Sequence, residues 1–72
     1  MKRVTHLNPP EHCDVCHEPI IDKFYDCYVP AYGCWANICP ECFEEFECKL
    51  GTGQGQVYSK LDDTGDFVKI GG

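Results

Sequence analysis

Cys39-Pro40-Glu41-Cys42-Phe43 decides the fold. It places two thiols two residues apart on one tight turn, and Pro40 marks the turn as the start of a helix. A proline is tolerated at the first helical position because its missing N–H would have no intrahelical partner there. Cys39 then lies beside the free N–H groups and positive dipole end of that helix, where a thiolate is favoured. Upstream, Cys13-Asp14-Val15-Cys16 repeats the spacing, with twenty-two residues between the two pairs. Two such pairs predict one tetrahedral four-thiolate site for Zn²⁺, with Cys13, Cys16, Cys39 and Cys42 as ligands and the metal as the nucleus of the fold.

The length of the chain makes a staple necessary. A 72-residue chain is one domain at most, and a core of that size rarely stabilises itself. The seven cysteines supply the staple either as disulfides or as metal ligands. The count is odd, four of them sit in the two pairs, and the charged start Met1-Lys2-Arg3 is followed by Thr5, His6, Asn8, Pro9 and Pro10 and not by an apolar run. The expectation is therefore a reducing, cytoplasmic setting with bound metal. No stretch is apolar enough to span a membrane.

The formal net charge is −6, and a dication held by four thiolates adds about −2 more. Such a surface disfavours phosphate backbones and favours a protein partner with a basic surface.

The rest of the chain reads outward from the two pairs. Residues 1–10 are expected to form a flexible, locally basic arm, residues 11–70 the single metal-bound domain, and residues 71–72 a flexible tail. His12 and His17 flank the first pair and offer alternative ligands, made unnecessary by four thiols. Residues 22–38 read as a hairpin, with Lys23 to Tyr28 and Cys34 to Ile38 as strands and Pro30-Ala31-Tyr32-Gly33 as the turn. Its aromatics, Trp35 among them, are expected mostly in the core, with some left as contact anchors. Cys27, Cys34 and Cys48 are expected as small core hydrophobes. A rival reading makes Cys27 and Cys34 cross-strand ligands of another site.

Residues 40–50 read as a helix with Phe43, Phe46 and Leu50 on one face, glutamates early, Lys49 late and Gly51 as the stop. The run Gly51-Thr52-Gly53-Gln54-Gly55-Gln56 follows a helix and precedes a strand, the wrong context for a phosphate loop. It reads as a tight connector, or as a loop that lets a partner's backbone approach. Val57 to Leu61 and Phe67 to Ile70 form a second hairpin around Asp62-Asp63-Thr64-Gly65-Asp66, which lacks the spacing of a calcium loop.

A first knuckle, a hairpin and a CPxC knuckle opening a helix together resemble a treble-clef zinc finger over Cys13 to about Leu50. The run Leu50 to Tyr58 is similar to one in small zinc-finger proteins encoded by bacteriophages. That resemblance implies a protein made during infection, acting in the host cytoplasm and redirecting a host protein. The transcription machinery, which offers basic clefts to an acidic surface, is one such target that the sequence itself does not choose. The fold class expected is thus a small α+β, zinc-stabilised, treble-clef-like monomer.

Three functions are then open. The first is a non-enzymatic, protein-binding adaptor or inhibitor that uses Glu44, Glu45 and Glu47. The second is nucleic-acid binding through Lys2, Arg3, Lys60 and Lys69, with Tyr58 stacking on a base. The third is thiol–disulfide chemistry at Cys39. Four cysteines leave no open metal position for hydrolysis.

Overall fold

The computed structural model describes Thr5, His6, residues 8–62 and residues 64–72. The elements run β1 (Lys23–Val29), β2 (Cys34–Ile38), α1 (Pro40–Glu45), β3 (Gly55–Lys60) and β4 (Phe67–Gly71). The two expected hairpins are present, but they are not separate. β1 also pairs antiparallel with β3, giving one four-stranded sheet of order β2-β1-β3-β4. The overall class is α+β, with an antiparallel sheet and one short helix.

Alternation along β1 gives the sheet two dissimilar faces. Tyr25, Cys27 and Val29 face the side that carries α1, where Tyr25 stacks on Phe43 with ring centroids 3.8 Å apart. Cys27, Val29 and Ile38 are completely buried there, and Cys13, Cys39, Cys42 and Cys48 join the same cluster. On the opposite face Phe24 lies directly across from Tyr58, and the rings stack at 5.2 Å. Phe67 meets Phe24 edge-on at 5.2 Å. Ile20 packs against both clusters and so ties the first knuckle to the sheet.

The helix is shorter than expected. It ends at Glu45, and Glu47 takes a left-handed φ of 53°. The Glu47 N–H donates to the Glu44 carbonyl and the Cys48 N–H to the Phe43 carbonyl, both at 3.1 Å. This is a Schellman stop, in which the left-handed residue's own N–H and that of the residue after it turn back to the helix. It is reached at Glu47 because the turn returns Cys48 to the core beside Phe43. Leu50 consequently leaves the helix face and is exposed, and Lys49 does not complete the last turn. Gly51 instead opens the next turn, donating its N–H to the Gly55 carbonyl and accepting from the Gln54 and Gly55 N–H groups.

The glycine run is thus a tight connector, and its key position is Gly55. A Cβ there would lie 2.5 Å from the Cys27 Cβ and 2.7 Å from the Lys49 carbonyl oxygen. No side chain fits between strand β1 and the chain crossing above it.

Both expected tails are attached where they are described. Thr5 bridges Val68, and the His6 N–H donates to the Phe67 carbonyl at 2.8 Å. The His6 ring meets Phe24 and Tyr58 edge-on at 5.2 and 5.1 Å. Lys2 and Arg3, the basic part of the arm, lie outside the described residues, as does Asp63 in the last turn. At the other end Gly71 is the last residue of β4, opposite Val57.

Candidate metal centre

The first knuckle is a short loop closed on itself. His12 and Pro19 bridge, the Ile20 N–H donates to the Glu11 carbonyl, and the Cys13 N–H donates to the Glu18 carbonyl. Inside it the His17 N–H returns to the Cys13 carbonyl at 3.0 Å, with His17 at a φ of 64°. The Val15 N–H points at the Cys13 sulfur from 3.4 Å. The second knuckle follows from β2 and α1. Ile38 anchors the strand end in the core, Cys39 is the N-cap in extended conformation, and Pro40 begins the helix. Cys42 follows Cys39 by three residues, a little less than one helical turn, which directs both sulfurs to the same side.

The two knuckles meet. Sγ atoms of Cys13, Cys16, Cys39 and Cys42 all lie within 4.8 Å of one another. The Cys13–Cys42 and Cys16–Cys39 separations are both 3.7 Å. A tetrahedral ion with metal–sulfur bonds of about 2.3 Å needs sulfur–sulfur edges of about 3.8 Å. The cluster therefore has the size and donor chemistry to hold one metal ion. Cys13 and Cys42 close its inner side, and Cys16 is exposed.

The thiols already show the electrostatics of a shared site. Burial pushes Cys13 up, but backbone N–H groups of Cys16, Cys39 and Val15 outweigh it and bring the thiol down to about 6. Burial pushes Cys42 strongly up, reinforced by its hydrogen bonds to the other three sulfurs. The Glu18 N–H draws Cys16 down, but desolvation and the sulfurs of Cys13 and Cys39 leave it raised overall. One thiolate in the cluster thus raises its neighbours, because a second negative sulfur this close would be repelled by the first. A dication at the centre removes that conflict.

No family model matches the chain, and neither a curated protein nor a solved structure matches it. The resemblances to treble clefs and to bacteriophage zinc-finger proteins therefore rest on this chain's residues alone.

Asp14 is the residue that sequence reasoning passed over. It sits between the two thiols of the first knuckle and reaches the edge of β2. Its N–H donates to the Asn37 carbonyl, and its Oδ2 accepts the Asn37 N–H, both at 2.9 Å. Asn37 is two residues before Cys39, so this two-point clamp sets one knuckle against the other. An aspartate inside a CxxC pair is the only signal of it in the sequence, and its partner lies twenty-three residues away.

The remaining candidates fall outside the cluster. His12 and His17 are exposed and are not among the clustered ligands. Cys27 lies opposite Ala36 and Cys34 opposite Val29, so the two are not directly paired, and among the described residues no metal-type cluster includes them. Cys27 and Cys48 are core residues as expected, and Cys34 is exposed on the edge strand. Desolvation together with the adjacent Cys48 pushes the Cys27 thiol up to about 12. Tyr58 is buried in the aromatic cluster, which removes it from any role in stacking on a base. The first hairpin shows more aromatic surface than expected, with Tyr28, Tyr32 and Trp35 40, 57 and 46 % exposed. Among the described residues no helix is long and apolar enough to cross a membrane.

Proposed function

We propose that the chain is a treble-clef-like domain built on one structural Zn²⁺, and that it acts as an acidic protein-binding adaptor or inhibitor. Four sulfur donors in a tetrahedral arrangement suit zinc, and they fill its coordination shell, which argues for a structural ion and against an enzyme. The ligands would be Cys13, Cys16, Cys39 and Cys42.

The observation that carries the binding role is where the charge lies. Nine of the twelve acidic residues fall between Glu11 and Glu47, where Lys23 is the sole basic residue. That is the half of the chain that builds the metal centre. Glu41, Glu44, Glu45 and Glu47 are all exposed on and after α1, and the four thiolates add negative charge behind them. A rigid acidic surface with exposed aromatics beside it suits a basic protein surface, with charge setting the approach and the aromatics anchoring the contact.

The test is a titration at low salt of the zinc-loaded protein against a lysine-rich peptide and, separately, against duplex DNA. Binding to the peptide that weakens with salt and with the double substitution Glu44→Lys, Glu45→Lys is the expected result, with none to DNA. Binding to DNA under these conditions, where phosphate contacts are strongest, overturns the reading.

A further inference from the structure

The sheet's β2 edge is half covered. β2 is an outer strand, and an outer strand presents unpaired N–H and C=O groups. Asp14 occupies the outward N–H and C=O of Asn37. Two residues earlier, Trp35 has the same parity, so its backbone groups also point away from β1. The far side of the ladder agrees: Tyr28 lies opposite Trp35, and its N–H runs the other way, to the Gln54 carbonyl at 2.9 Å. Among the described residues nothing pairs with the outward groups of Trp35. Beside this edge lies a cavity of about 420 Å³, lined by Asp14, Val15, Tyr32, Cys34, Trp35 and Ala36. The first knuckle thus acts as one residue of a fifth strand and stops, and the groove continues where it stops.

We propose that this groove receives an extended, basic segment of a partner protein, which adds to β2 at Trp35 and places an apolar side chain between Val15 and Tyr32. Strand addition uses main-chain hydrogen bonds for register and alternate side chains for selectivity. The open edge is one residue long, so the aromatics supply most of the contact. Charge decides the occupant. No basic residue lines the groove, and the surrounding half of the chain is acidic. A second copy would bring the same negative charge to the same edge, which opposes self-pairing. The proposal rests on the protein-binding reading and gives it a place and a mode.

The probe is the peptide acetyl-Lys-Val-Lys-Val-Lys-amide, followed through the amide spectrum of the zinc-loaded protein and by calorimetry. Two N-methylated versions carry the methyls on alternate residues, so one version loses the donors that face β2 and the other loses those that face solvent. The expected result is a shift of the Trp35 amide, an affinity lowered at least tenfold for one version, and an affinity near the parent's for the other. Trp35→Ala lowers the parent's affinity as well. Equal binding of both versions, with the shifts on Glu44 and Glu45, overturns strand addition while leaving the acidic-surface reading in place. No binding of the parent peptide at low salt overturns the groove proposal, and the lysine-rich titration above then judges the broader reading by itself. A dimer in sedimentation that masks the Trp35 amide without peptide overturns the choice of occupant.

Discussion

Replacing Asp14 by alanine separates the clamp from the ligands, because no sulfur is touched. The substitution removes the acceptor of the Asn37 N–H and keeps the backbone bond from the Asp14 N–H to the Asn37 carbonyl. Hydrogen bonds to charged groups are worth roughly 1.5–3 kcal/mol, and the lower end applies to an exposed site such as this one. The expected loss is therefore about 1.5 kcal/mol. For a domain of this size that lowers the melting temperature of the zinc-loaded protein by roughly 6–12 °C. Because a site absent from the unfolded chain links metal binding to folding, zinc affinity should fall by about tenfold as well. Asp14→Asn keeps an oxygen acceptor without the charge and should lose about half as much. The assay is thermal denaturation with saturating zinc, paired with competition against a chelator of known affinity. A change below about 0.3 kcal/mol for Asp14→Ala in both measurements refutes the idea that Asp14 sets the two knuckles against each other.

Three further outcomes follow from particular residues. Gly55→Ala forces a Cβ against Cys27 and the Lys49 carbonyl, and should lower stability by about 3 kcal/mol in denaturant melts. Glu47→Gly relieves a left-handed residue at the helix stop and should raise stability by about 0.5–1 kcal/mol, with α1 unchanged by amide shifts. At high pH the buried Cys27 thiol, raised from near 9 to about 12, keeps its proton in the folded chain after the unfolded chain has lost it. Stability should therefore fall between about pH 9 and 12, by up to about 1.4 kcal/mol per unit from this group. Cys27→Ala should flatten that part of the curve relative to the parent protein.

The four thiols were legible in the sequence because each pair is local. Two residues between cysteines set the bite, and Pro40 marks where the helix starts. What joins the pairs was not legible. The β1–β3 ladder matches Phe24 to Tyr58 across a gap that includes the helix and the glycine run, and alternation within one strand does not name its partner. The Asp14–Asn37 clamp is hidden for the same reason. The helix stop was misplaced because glycine is the usual left-handed residue and Gly51 was at hand. The core instead draws in Cys48, which makes Glu47 adopt the turn. The first hairpin's aromatics were expected mostly inside, but Tyr28 and Trp35 share the face away from α1, where the Phe24 cluster does not reach.

The most direct measurement is cadmium-113 NMR of the metal-substituted protein, correlating the ion with the β-protons of its ligands. The account predicts one cadmium resonance coupled to Cys13, Cys16, Cys39 and Cys42 and to no other residue. Couplings to His12, His17, Cys27, Cys34 or Cys48, or a chain that folds fully without taking up the ion, would contradict it.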